Sequence, residues 1–151
     1  MVNALDVPSA KLIGALAEQM KSVATIQQPE WAQWVKTGSH AERPPNSADW
    51  WFTRAASLMR KLYLHGPVGL TDLERVYGGT KALHYYPKHH RDAGGSSIRR
   101  LLHQLEQAEL VAKTSKGRIL TPKGRAMLDK TSRQLFTTMA EGNKSLARYG
   151  Q

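Results

Sequence analysis

Arg54, Arg60 and Lys61 stand on a stretch, DWWFTRAASLMRK at 49–61, that holds no carboxylate between Trp50 and Lys61. Cations gathered without acids bind anions, and the small hydroxyls of Thr53 and Ser57 beside them leave room for phosphate oxygens. Two further groups repeat the pattern. Residues 78–97, GGTKALHYYPKHHRDAGGSS, carry Lys81, Lys88 and Arg91 against Asp92 alone, interleaved with Tyr85, Tyr86, His89 and His90. That mixture offers charge for phosphates and flat rings on which bases stack. Arg99 and Arg100 follow directly, and Lys116 and Arg118 lie on a basic turn further on. The chemistry expected of all of them is the binding of a polyanion.

Catalysis has no comparable support. The chain has no Cys, which excludes disulfides and thiolate metal sites. His89 and His90 are adjacent, and neighbours in sequence seldom converge on one ion, so no metal is expected and no cofactor is implied. P-loop, GxSxG and HExxH patterns are absent, and the lone carboxylates offer no acid/base pair. The chain is read as a binding protein, not an enzyme.

The elements that must carry these cations follow from hydrophobic spacing. At 100° per residue, Leu58, Trp51, Leu62, Ala55, Met59, Phe52, Tyr63 and Ala56 fall on one apolar arc. Residues 49–65 therefore form a helix with a core face and a basic face, ended by Gly66-Pro67. Trp50 falls among the basic residues, where it could wedge into the protein or stack at the edge of a nucleic acid. A solvated basic face over a buried Trp pair is the plain alternative for this helix.

Before it, Leu12, Leu16, Met20 and Val23 mark a helix opening at 6–9, and a short helix at Pro29-Glu30-Trp31 puts Trp31, Trp34 and Val35 on one face as core or hinge fillers. Residues 39–48 read as loop. After it, Val68-Gly69 suits a stub of strand, and Thr71 to Glu74 reads as a capping box for a helix with Leu70, Leu73, Val76 and Tyr77. Residues 78–97 are expected to be a long loop. Ser96 or Ser97 then caps a helix in which Ile98, Leu101, Leu102 and Leu105 make the core stripe, placing Arg99 and Arg100 in a first turn whose dipole favours anions. Residues 110–113 and 118–120 form a hairpin around a Gly-containing turn, and Thr121-Pro122 caps a last helix carrying Met127, Leu128, Leu135 and Met139.

The whole is expected to be one domain over 1–151: N-terminal helices at 1–47 packed on a core at 48–140, with a polar, fraying tail at 141–151. Net charge is +10, and it is unevenly placed: residues 1–50 hold four Lys/Arg against five Asp/Glu, and residues 51–151 hold eighteen against seven. The positive field therefore belongs to the later two-thirds and favours nucleic acid before an acidic membrane surface. No apolar run approaches the roughly 20 residues a membrane span needs, so no membrane partner is expected. The opening MVNALDVPSAKL lacks the basic and apolar regions of a secretory signal, and a cytoplasmic location is expected.

This order of elements is that of a mainly α, winged helix-turn-helix core with a small β-hairpin wing and additional N-terminal helices. Specific runs go further. DWWFTRAAS at 49–57, LYLHGPVG at 62–69, Tyr77-Gly78-Gly79, AGGSSIRRLLHQLE at 93–106 and GRILTPKGR at 117–125 together resemble the e-type ribosomal protein nineteen family of the archaeal and eukaryotic small subunit. DVPSAKLIGALA at 6–17, PEWAQWVKTG at 29–38 and residues 40–43 resemble the family's opening segments, so the resemblance spans nearly the whole chain, in its archaeal form.

The resemblance implies a structural constituent of the small ribosomal subunit that binds rRNA and is needed for late rRNA maturation and assembly. Its partners would be small-subunit rRNA and neighbouring ribosomal proteins, with a free chain that is monomeric. By position it assigns rRNA contact to Arg54, Arg60, Lys61, Arg99 and Arg100. Phe52 departs from the family's usual Tyr, removing a hydroxyl, and His90 stands where an aromatic such as Phe is usual. The alternatives are a winged-helix DNA-binding regulator, which would read operators as a dimer, and a protein adaptor using exposed Trp31, Trp34 or Trp50.

Overall fold

The computed structural model describes residues 2–143 and 145–149. Its helices are α1 (Ser9–Lys21), α2 (Trp50–His65), α3 (Leu70–Tyr77), α4 (Gly95–Gln107) and α5 (Pro122–Gly142). Two antiparallel hairpins join them: β1 (Gly79–Leu83) with β2 (Tyr86–Arg91), and β3 (Val111–Thr114) with β4 (Gly117–Leu120). A 3-10 turn at Glu30–Gln33 lies between α1 and α2.

α2 is the centre, because its apolar arc is wide enough to meet several partners at once. Trp51, Ala55, Ala56, Leu58, Met59 and Leu62 are buried, and Phe52 and Tyr63 are partly buried against the same core. α1 lies along α2 and buries Leu12, Leu16 and Met20, while α5 crosses both with Leu128 and Phe136 inside. Ile98, Leu101, Leu102 and Leu105 of α4 close the other side, as their spacing predicts. At the middle the Trp51 ring meets Trp50 at 5.4 Å and Trp31 at 5.7 Å, both edge-on, the geometry aromatic quadrupoles prefer. Trp51 Nε1 donates to Gln104 Oε1 at 3.0 Å, and Gln104 Nε2 donates to the Gln27 carbonyl at 2.8 Å. That chain satisfies the buried Trp51 donor, and it fixes α4 against α2.

From α2 onward the molecule is a winged helix. Val68 is the short strand, exchanging backbone bonds with Arg118 of β4 at 3.0 and 2.9 Å. β3 and β4 pair in register from Val111 with Leu120 to Thr114 with Gly117, making the wing. Gly117 turns the wing at φ 132°, and a Cβ there would stand 2.6 Å from the Val68 carbonyl oxygen, so turn and close approach both demand glycine. Gly66, at φ 70°, ends α2. Thr121 caps α5 by accepting from Gly124 N at 3.1 Å.

Five local expectations are corrected. Residues 78–97 are not a loop: β1 and β2 form a projecting hairpin whose second strand is exposed along its length. Trp34 falls just past the 3-10 turn and is 77% exposed, so it fills no core. α3 starts earlier than the Thr71 capping box, with Asp72 Oδ2 accepting from Gly69 N at 3.3 Å, and Val76 on it is exposed. Neither Ser96 nor Ser97 caps α4, which begins at Gly95 after Gly94. Arg99 and Arg100 therefore sit in its second turn, beyond the strongest reach of the helix dipole.

Of the tail expected to fray, residues 141–142 continue α5 and a 3-10 turn spans Leu146–Arg148, while Lys144, Gly150 and Gln151 lie outside the described residues.

Candidate nucleic-acid interface

Three surfaces carry the cations that the sequence singles out. The first is the solvent side of α2. Helical spacing puts Arg54, Ser57 and Lys61 on one line, and the end of α3 lays Tyr77 across it. The Arg54 Cζ stands 4.1 Å and the Lys61 Nζ 5.2 Å from the centre of the Tyr77 ring, within cation–π range. The Tyr77 hydroxyl donates to Ser57 Oγ at 2.8 Å, which fixes the ring under both cations.

Burial pushes the Arg54 guanidinium below its ordinary value. Lys61 is held below its ordinary 10.5 first by burial, then by the charges of Arg60 and Arg54. Burial likewise raises the Tyr77 phenol above 10.0. Arg54 Nη1 and Arg60 Nε are buried without a hydrogen-bond partner. Partly desolvated cations that repel one another, none of them paired with a carboxylate among the described residues, form a site poised for an anion.

Trp50 does not belong to that surface. It is buried, 8% exposed, because segment 29–48 folds back over the N-terminal end of α2 and its Nε1 donates to the Ala32 carbonyl at 3.0 Å. Of the two alternatives left open for its ring, the wedge in the protein is the one it occupies: it is a packing residue, with only an edge reaching a cleft.

The second surface is a groove of about 780 Å³ between α4 and the wing, lined by Arg99, Arg100, His103, Glu106, Lys113 and Arg118 among others. Arg99 and Arg100 are exposed and, among the described residues, have no acidic partner. Glu106 is already engaged, accepting from Arg118 Nε at 3.1 Å, and Glu109 holds Lys123 at 3.2 Å. Arg118 is thus only in part available, because it also fastens the wing to α4. Arg100 leans towards the N-terminal segment, its Cζ 5.9 Å from the Trp31 ring centre. Lys116 sits at the exposed tip of the wing.

The third surface is the β1–β2 hairpin. Gly79 pairs with Arg91 and Lys81 with His89, and the register slips between Lys81 and Leu83. Lys88, Arg91, Tyr85 and Tyr86 all face solvent, with Tyr85 96% exposed. The hairpin springs from Tyr77, so it starts beside the Arg54 cluster.

Ribosomal protein S19e, as a family profile, matches residues 3–138. The chain belongs to the ribosomal protein S19e family. Among its curated relatives are the small ribosomal subunit proteins eS19 of Aeropyrum pernix, 43% identical over 99% of both chains, and of Thermoplasma volcanium, 41% identical over 93% of this chain and 94% of that one. That of Haloarcula marismortui is 40% identical over 92% of this chain and 94% of that one. The family assignment agrees with the resemblance read from the runs at 49–57, 93–106 and 117–125.

Three residues of these surfaces escaped the sequence. Tyr77 reads there as one more apolar residue of α3, because its meeting with Arg54 and Lys61 is a contact between two helices. Lys113 joins Arg99 only through the wing's return to α4. Arg43 lines a cleft on α2 beside Arg54, reached through a loop that carries no periodic pattern.

Proposed function

We propose that this S19e protein is a constituent of the small ribosomal subunit, that it binds rRNA through its basic surface, and that it is needed for late maturation of small-subunit rRNA and assembly of the particle. The observation that carries the reading is the exposed pair Arg99 and Arg100, which lines a groove with Lys113 while Glu106, the acid of that lining, is bound to Arg118. The identity of its relatives as proteins of the small ribosomal subunit agrees with it. The groove, the Arg54–Lys61 cluster and the hairpin would neutralise phosphates where RNA segments meet. A-form RNA has a major groove too narrow for a helix, so shape, phosphate and 2′-OH contacts dominate and affinity falls steeply with salt. Neighbouring small-subunit proteins and a monomeric free chain complete the reading.

A duplex-DNA regulator is less well supported by the same fold. A recognition helix presents its N-terminal residues to base edges. Here the segment leading into α4 is tied back to the N-terminal part of the chain: Gly94 N donates to the Thr37 carbonyl at 2.8 Å, Gly38 bridges Ala93, and the β1–β2 hairpin stands where a tight turn would be.

Replacing Arg99 and Arg100 together by Glu is expected to abolish incorporation into small subunits on a sucrose gradient while leaving the circular dichroism spectrum intact. Normal incorporation of that variant sinks the site assignment.

A further inference from the structure

A cleft of about 410 Å³ opens on α2 away from the α4 groove. Its floor is Trp50, Thr53, Arg54 and Ser57, and its walls are Ile13 of α1 and the loop residues Thr37, Arg43, Pro45 and Ser47. The volume lies within the roughly 300–1,000 Å³ of sites that hold one small ligand, and it is far too small for a duplex. Its chemistry is divided: Ile13, Pro45 and the edge of Trp50 are apolar, two guanidinium groups and the hydroxyls of Thr37, Ser47 and Ser57 are donors, Thr53 Oγ1 already gives its hydrogen to the Asp49 carbonyl at 3.4 Å, and the lining contains no carboxylate.

The donors are short of acceptors. Arg54 Nη1 is buried with no hydrogen-bond partner. Ser57 Oγ accepts from the Tyr77 hydroxyl at 2.8 Å, and Ser47 Oγ accepts from Asp49 N at 3.3 Å, so each still has its own hydrogen to give. A group made only of acceptors, flanked by a flat apolar ring, matches these two free hydroxyl hydrogens and the guanidinium groups of Arg43 and Arg54 that line the cleft. That description is a phosphorylated nucleoside.

We propose that this cleft seats one unpaired RNA nucleotide, its phosphate on Arg54 and Arg43 and its base against Pro45, Ile13 and the Trp50 edge. The proposal rests on the rRNA-binding reading and sharpens it: the α4 groove follows paired backbone, whereas this cleft selects a nucleotide turned out of its stack, the form in which RNA bases are open to proteins. A free nucleoside monophosphate shares the same chemistry, and the affinity of a strand relative to a single nucleotide distinguishes the two sources.

The test follows the Trp50 indole N–H resonance of the full chain by NMR during titration. Adenosine 5′-monophosphate should shift it saturably, inorganic phosphate should shift it less, and adenosine should leave it unmoved. A six-nucleotide single strand should bind at least about tenfold tighter than the monophosphate, because flanking phosphates reach further cations, and a blunt duplex of the same length should leave the resonance in place. Ser47→Trp fills the cleft from an exposed loop position and should erase the response to nucleotide and single strand while structured-rRNA binding persists; Arg43→Ala, also exposed, should weaken the monophosphate response. A duplex that moves Trp50 as far as the single strand does, or a Ser47→Trp chain that still responds, overturns the proposal. A blank monophosphate arm beside intact rRNA binding overturns the cleft alone, and failure of all RNA binding overturns the parent reading with it. A monophosphate that binds as tightly as the strand assigns the cleft to free nucleotide and rejects the RNA source.

Discussion

The Arg54 guanidinium stands 4.1 Å from the centre of the Tyr77 ring, so the last residue of α3 holds a cation of α2 in place from beneath. Ring and hydroxyl make separable contributions. Tyr77→Phe keeps the ring and loses the bond to Ser57, at a cost of about 1 kcal/mol of stability. Tyr77→Ala removes both, at about 3 kcal/mol, and frees Arg54 to wander. Denaturant midpoints and filter binding check the pair: rRNA affinity should hold in the Phe variant and drop in the Ala variant. Equal losses in both would falsify a positioning role for the ring.

Lys61 introduces a pH dependence. Burial, then Arg60 and Arg54, hold its ammonium below the ordinary 10.5. Below the folded pKa both folded and unfolded chains carry the proton; between that value and 10.5 the unfolded chain binds more, so this residue's contribution to stability rises with pH there. Tyr77, raised above 10.0, acts oppositely at higher pH, because the unfolded chain loses its proton first and stability falls. For binding, the loss of the Lys61 charge means that rRNA affinity declines in the alkaline range before an ordinary lysine would titrate. Lys61→Arg should abolish that decline in a pH series of affinities at constant salt.

The Glu106–Arg118 pair sets the wing against α4, and both side chains are only about a fifth exposed, at 23% and 21%. Glu106→Gln keeps the shape and removes the only acid lining the groove. Stability should fall by no more than about 1 kcal/mol, because a pair near the surface gains little net energy. Affinity for rRNA should rise, and the dependence on salt should steepen by up to about one phosphate contact as Arg118 is released. Weaker binding by Glu106→Gln, with a native circular dichroism spectrum, sinks this account of the pair.

Gly117→Ala tests the wing itself. The residue sits at φ 132°, and its Cβ would stand 2.6 Å from the Val68 carbonyl oxygen, so either the turn or the Val68–Arg118 bridge must give. A loss of about 1–3 kcal/mol is expected by thermal or chemical denaturation. Hydrogen exchange should quicken first at Val68 and Arg118, whose amides make that bridge.

Much of this could be read without coordinates wherever one face of an element meets the core. The arc of α2 and the stripe of α4 follow from spacing, because burial on one side imposes a period of 3.6 on the apolar residues. The β1–β2 hairpin could not be read that way. Neither of its faces is pressed on a core, so Lys81, Leu83, Tyr86 and Lys88 show no alternation for a pattern to reveal. Trp50 failed for the opposite reason. Its place on the wheel is outward from α2, but segment 29–48 supplies a second cover and the Ala32 carbonyl as partner.

Taken alone, then, the order of residues determined the class of fold, the excess of cations in the later two-thirds and the individual side chains that carry it, because these depend on local periodicity and on counting. Tertiary structure decided which cations meet. Arg54 and Lys61 share Tyr77, Arg99 and Arg100 share a groove with Lys113, and Arg43 faces Arg54 across a cleft. Those meetings arise from loops and from contacts between distant residues, where chain connectivity sets no period and only packing of the whole determines which side chains remain without an acid.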